Sequence, residues 1–180
     1  MFQISDPKTL LYEANQKSQI AEKVAEQIES RSNVKSDVTV YDGEEGFRTF
    51  WKHNIARMSV GDEYYVLGSL GDLWGSLMDP ILPWLIKQMK KKKISIKTIA
   101  HVVNNKDNIF LRSGVKYEAR LDPKGYQTPA NTNIWKDYTF LQTAVPPYSV
   151  IEIYNPVLAQ AYKDSFFELW DAAGPYPRDI

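Results

Sequence analysis

Residues 63–100 read EYYVLGSLGDLWGSLMDPILPWLIKQMKKKKISIKTIA, and this stretch sets the expected fold. Glu63 to Ser69 is rich in aromatic and β-branched residues and runs into glycine, the pattern of a strand entering a turn. Asp79-Pro80 opens a helix whose buried face is Ile81, Leu82, Leu85, Ile86 and Met89, and which ends in Lys90 to Lys93. Ile94 to Ala100 then alternates apolar and polar residues like a second strand. Strand, helix and strand in that order give a βαβ unit, which favours a parallel sheet.

The same rhythm extends to both sides. Val38 to Tyr41 reads as a strand closed by Asp42-Gly43, and a helix follows with Phe47, Phe50, Trp51, Ile55 and Met58 on one face. After residue 100 the reading is a short helix over 104–113, a strand over 115–120 and a loop over 122–131. A hairpin of 133–144 and 148–154 turns through Pro146-Pro147. Asn155-Pro156 opens a last helix with Leu158, Ala161, Tyr162, Ser165, Phe166, Leu169 and Trp170 on its packed face, and 174–180 reads as a flexible tail. The fold class is therefore α/β, with a mixed, largely parallel central sheet flanked by helices.

Residues 7–32 differ in texture. Leu10, Ala14, Lys17, Ala21, Val24 and Ile28 recur at alternating spacings of four and three, the seam of a coiled coil. The remainder of the segment is polar. So narrow a stripe suits a partner helix better than a core, and predicts a dimerisation and linker helix over 1–36 in front of an α/β domain over 37–173. The alternative is a helix laid on its own domain.

The 180 residues are 43 % hydrophobic and 13 % aromatic, enough for a core, and 22 basic residues balance 22 acidic ones. Neutrality argues against a globally basic nucleic-acid binder. The lysine run is explained by a solvated helix C-terminus. With no cysteine and two histidines, thiolate zinc sites, disulfides and His-rich metal centres are excluded. No metal or cofactor is expected. No apolar signal core opens the chain and no uncharged stretch is long enough to span a membrane, so the expected location is the cytoplasm.

Order and motif together carry a resemblance. An Asp6-Pro7-x-x-Leu10-Leu11 helix start leads to VTVYDGEEGFRTFW (38–51), DEYYVLGS (62–69), ISIKTIA (94–100), NIWKDYTFLQT (133–143) and IEIYNPVLAQAYKDSFFELWDAA (151–173). This succession resembles the C-terminal regulatory domain of TrmB-family transcriptional regulators. The resemblance implies a phospholipase D-like half-domain, preceded by a long helix through which subunits pair as a homodimer. It also implies a role in transcription regulation, with a small-molecule effector as partner. No winged-helix sequence precedes Phe2, so this polypeptide is not expected to contact DNA directly. The β-rich segment used for sugar by some relatives has no counterpart after Trp170, and sugar binding is not transferred.

Phospholipase D chemistry uses His-x-Lys-x-x-x-x-Asp, with histidine as nucleophile and lysine on the phosphate. His53 is followed by Asn54-Ile55 and His101 by Val102-Val103, so no catalytic residue is assigned. The candidate ligand residues are Gly68, Ser69, Asp72 and Trp74, on the loop after the second strand, where α/β sheets bind ligands. Tyr41, Asp42 and Glu44 join them if the first two strands are neighbours. The glycine spacing G-x-x-G-x-x-x-G is not the dinucleotide fingerprint. Against a site, the glycines could serve tight turns alone, Trp74 could stack on Trp84, and Glu44 and Glu45 could complement a helix dipole. Asn131 and Asn133 read as turn residues. Two other functions stay open: a phospholipase D-like phosphodiesterase, and an oligomerisation domain with no ligand.

Overall fold

The computed structural model describes residues 16, 36–101, 108–122, 124 and 128–177. The coiled-coil seam from Leu10 to Ile28 lies outside the described residues. The chain divides into residues 1–35 and 36–180, and the second unit is a sheet with helices on both faces. Its strands are β1 (Asp37–Asp42), β2 (Glu63–Leu67), β3 (Ser95–Ala100), β4 (Lys116–Leu121), β5 (Ala130–Trp135), β6 (Tyr138–Thr143), β7 (Ser149–Tyr154) and β8 (Gly174–Pro175). Its helices are α1 (Gly43–Arg57), α2 (Gly71–Met78), α3 (Leu82–Lys91), α4 (Asn108–Ser113) and α5 (Pro156–Ala172).

The strand order is β1-β7-β6-β5-β2-β3-β4-β8. Among the described residues, β2–β3 and β3–β4 pair in parallel and the other five pairings are antiparallel. The expectation of a largely parallel sheet is corrected: the sheet is mixed and mostly antiparallel. The βαβ inference holds where it was strongest, from β2 to β4. It fails outside for two reasons. Residues 133–144 are two strands, because the chain reverses at Lys136-Asp137, where Lys136 takes a left-handed φ of 51°. That turn lacks the Asn-Gly or Asp-Gly signal of a tight hairpin. In addition, β1 pairs with β7 at the sheet edge, with three strands between it and β2.

The strand period of two divides the core. Tyr64 of β2 faces α1 to α3 with Phe140, Val150 and Ile96. Its neighbour Tyr65 faces α5, meeting Ile99, Ile134, Phe166 and Trp170. Lys97 and Arg120 lie against the Trp170 ring at 5.6 and 4.7 Å. The last helix starts as expected: Asn155 accepts a hydrogen bond from the Leu158 amide at 3.0 Å and Pro156 occupies the first turn. The start of the expected tail belongs to the sheet instead. Gly174-Pro175 pair with Leu121 and Arg120, and Tyr176 is buried.

The lysine run has a more specific task than solvation. Lys92 Nζ donates to the carbonyls of Ile55, Ala56 and Met58 at 2.6, 2.8 and 2.6 Å. It caps the C-terminal turn of α1, where a cation is favoured by both the bare carbonyls and the dipole. Lys91 is exposed. Lys92→Met is expected to lower stability by about 1–3 kcal/mol and Lys91→Met by less than about 0.5 kcal/mol, measured by urea unfolding at neutral pH.

Candidate functional site

A pocket of about 70 Å³ opens between the sheet and its α1–α4 face. Tyr64 and Val66 of β2, Ile96 and Thr98 of β3, and Asn131 and Asn133 of β5 form its floor. Trp51 of α1, Trp74 and Gly75 of α2, and Phe110 of α4 form its roof. The rings touch in a chain. Trp51 meets Trp74 edge-on at 5.3 Å, Trp74 meets Phe110 at 5.5 Å, and Phe110 stacks on Tyr117 at 5.6 Å.

The loop after β2 shapes the near wall. Gly68 has a φ of 82°, a conformation that strains any other side chain, and its amide extends the parallel ladder to Ile99 O at 3.0 Å. A Cβ at Gly68 would also meet the His101 ring at 3.4 Å. Ser69 Oγ accepts from the Gly71 amide at 3.2 Å and turns the chain into α2. Much of the glycine-rich segment read as a loop is therefore helix. In α2, a Cβ on Gly75 would meet nothing within 4 Å.

The structure brings Ser69 and Trp74 to this pocket. Gly68 lies behind it under His101, and Asp72 is exposed on α2. Tyr41, Asp42 and Glu44 do not line the pocket, because β7, β6 and β5 stand between β1 and β2. Tyr41 packs instead on Phe50 at 5.5 Å. Its hydroxyl pKa is raised by burial and by the nearby Glu152 carboxylate. Glu44 and Glu45 each bind Arg48 at 2.7 Å. Trp74 rests on Trp51, and Trp84 is 40 % exposed.

Sequence reasoning missed the floor. Asn131 and Asn133 are strand residues two apart, so both face the pocket side of β5. The available signal was the alternation in Asn131-Thr132-Asn133-Ile134, where Ile134 points to the opposite core.

Trp51 Nε1, Trp74 Nε1, Asn131 Oδ1 and Asn133 Oδ1 are buried without a hydrogen-bond partner, as are side-chain atoms of Asn54, Thr139 and Gln142 elsewhere in the core. Among the described residues, the ionisable ones that line the pocket are Tyr64 and Tyr117. Burial drives the Tyr64 hydroxyl far above its ordinary range and keeps it neutral. Among the described residues, the lining supplies no carboxylate or imidazole for acid–base work. His53 is exposed on α1, and His101 Nδ1 lies 3.3 Å from Asp122 Oδ2. Among the described residues, no group of three or more His, Asp or Glu is placed to hold a metal ion, and no helix is long and apolar enough to cross a membrane.

These features define a mixed α/β domain with a ring-lined pocket on one face of its sheet. No family model and no curated protein matches the chain. Among solved structures, it is similar to TrmBL2, an archaeal chromatin protein whose structure shows a novel mode of DNA binding. The identity is 15 %, the TM-score 0.50, and the match covers 93 % of this chain and 66 % of that one. It is also similar to NucT from Helicobacter pylori, at 11 % identity and a TM-score of 0.55, over 79 % of this chain and 100 % of that one. The chain thus spans just under two thirds of TrmBL2, and both likenesses concern the fold.

Two polar clusters hold the floor in place. Asp62 Oδ2, just before β2, accepts from the Ser59 amide at 2.9 Å, Trp135 Nε1 at 2.9 Å and Lys136 Nζ at 3.0 Å, which ties down the β5–β6 turn. Beside it, Arg57 forms a two-pronged pair with Glu152 at 2.6 and 2.9 Å, and its guanidinium lies 4.9 Å from the Tyr138 ring. Burial opposes the Asp62 charge, but its three donors prevail and hold its pKa below the usual carboxylate value. A depressed folded-state pKa gives stability that is present above the unfolded pKa and lost as pH falls through the folded one. Asp62→Asn is therefore expected to lower Tm at neutral pH, with the gap to wild type closing below about pH 4, as followed by circular dichroism melts.

Proposed function

We propose that this chain is a non-catalytic regulatory and dimerisation domain of a TrmB-like transcriptional regulator. In this reading the α/β body is a phospholipase D-like half-domain, and residues 7–32 pair two subunits in the cytoplasm. The carrying observation is the fold likeness to TrmBL2 along 93 % of the chain. Two features support a role without catalysis. Among the described residues the pocket is lined by neutral groups, and neither histidine begins a His-x-Lys motif. DNA contact is assigned to segments other than this one, since its 22 positive charges are matched by 22 negative ones.

A long helix leaving such a body can turn a small change in subunit angle into displacement at its far end. Coupling to a ligand requires that the two arrangements differ in affinity for it.

Light scattering on the whole chain tests the reading. The expected mass is that of two subunits. Val24→Asp with Ile28→Asp is expected to halve it while the circular dichroism spectrum of the α/β body is retained. A single-subunit mass for the unaltered chain overturns the reading. So does hydrolysis of bis-p-nitrophenyl phosphate that disappears in His101→Ala, which favours the phosphodiesterase alternative.

A further inference from the structure

We propose that β1 is an interaction edge, on which the β1 strand of a second copy of this chain adds antiparallel and continues the sheet across a two-fold axis. The inference rests on the two-subunit reading and adds to it a second contact, made by the α/β body.

The two ends of the sheet are guarded differently. At one end β8 is two residues long and contains Pro175, so it offers little backbone to a further strand. At the other end β1 reads Asp-Val-Thr-Val-Tyr-Asp over six residues, with no lysine or proline to deter a neighbour. Among the described residues, no strand pairs with its outer side.

The ladder to β7 fixes which groups face outward. The Gly43 amide donates to the Tyr148 carbonyl at 2.8 Å, one step past the Asp42–Ser149 pair. Bonded and non-bonded pairs alternate along an antiparallel ladder. Tyr41, Thr39 and Asp37 therefore bond β7, and Val38 and Val40 turn their N–H and C=O groups to the open edge.

The side chains of the same two residues are also uncovered. Tyr41 and Val150, opposite each other in the ladder, belong to the core under α1. Val38 and Val40, with Ile153 and Ile151 across from them, therefore lie on the α5 side. Helix α5 packs on β2, β5 and β6. Val38 and Val40 remain 58 % and 54 % exposed.

This edge is complementary to itself. Outward residues must oppose outward residues, so Val38 and Val40 meet the partner's Val40 and Val38, with about four backbone hydrogen bonds between them. The valines of both subunits then form one cluster on the α5 side, and the two Thr39 hydroxyls meet on the axis at the other face. Asp37 opposes the partner's Tyr41 and Asp42 opposes the partner's Ser36, so no two carboxylates face. The next register sets Asp42 against the partner's Val38 and is disfavoured. Six residues and a small apolar patch fall short of the roughly 1,000 Å² of a self-sufficient interface. They suit a twin already held by the 7–32 seam, at an effective concentration of about millimolar, better than a free partner.

Amide exchange by NMR and sedimentation equilibrium of the whole chain are the tests. In the two-subunit particle the Val38 and Val40 amides are expected to exchange at least about tenfold more slowly than their neighbours' amides do after Val38→Lys with Val40→Lys, while Thr39 stays slow in both chains. The same pair of substitutions is expected to raise the dimer Kd about tenfold or more. Both side chains are more than half exposed, so the circular dichroism spectrum is expected to be retained. Val60→Lys, on an exposed turn elsewhere, is expected to leave the Kd unchanged.

Fast exchange at Val38 and Val40 in a two-subunit particle overturns the proposal and spares the seam. Slow exchange that persists once dilution has separated the subunits also overturns it, and assigns the edge to the chain's own residues. So does a Kd that ignores Val38→Lys with Val40→Lys. A two-subunit mass that survives Val24→Asp with Ile28→Asp but not the β1 substitutions does the reverse: the edge stands and the seam fails. A single-subunit mass at every concentration overturns both.

Discussion

The three-residue joint between β2 and β5 holds the domain together. Tyr65, Val66 and Leu67 face Ile134, Asn133 and Thr132 in antiparallel register. On one side of this joint lies the parallel block β2-β3-β4, and on the other the antiparallel block β5-β6-β7-β1. Each block alone is a fragment with an open edge. Joined, they form a continuous surface whose two faces are covered by helices. The register has a direct consequence for the pocket, because it sets Asn133 opposite Val66, and both are floor residues. A slip of one residue would carry Asn133 to the α5 side and Ile134 into the pocket.

The joint is supported from outside the sheet. Asp62 stands one residue before β2 and bonds Trp135, the last residue of β5, so the same two strands are tied a second time at one end. Arg57 reaches from the end of α1 to Glu152 on β7, and Lys92 reaches from the end of α3 to the last carbonyls of α1. The roof and the floor are thus fixed by long-range polar contacts at helix ends. Apolar burial fills the space between them. Burial favours compactness in any register, whereas these directional bonds distinguish one register from its neighbours.

Local signals in the sequence were reliable where each had one physical reading. The Asn155-Pro156 helix start, the β2–α3–β3 succession and the apolar face of α1 all have a strong period or a capping residue behind them. On the expected face of α5, by contrast, Phe166 and Trp170 are buried but Ala161, Ser165 and Leu169 are exposed, and Ala159 takes their place in the core. The errors arose where the deciding interaction is distant. Nothing local to Lys136-Asp137 shows a reversal, since Lys136 adopts its left-handed backbone without a glycine. Nothing local to β1 shows that its partner is β7, more than a hundred residues on. The candidate site fared accordingly. The rule that loops after parallel strands face ligands points to Ser69 and Trp74, and both line the pocket. Trp51, Asn131 and Asn133 were read as core or turn, because the tertiary arrangement alone brings them together.

Gly75 gives the roof an uneven character. A glycine within a helix gives up about 0.5–1 kcal/mol relative to alanine, and α2 is only eight residues long. The floor strands, by contrast, are locked by ladders on both sides. Loosening of the pocket is therefore concentrated in two short turns of backbone, far below the cost of parting any pair of central strands.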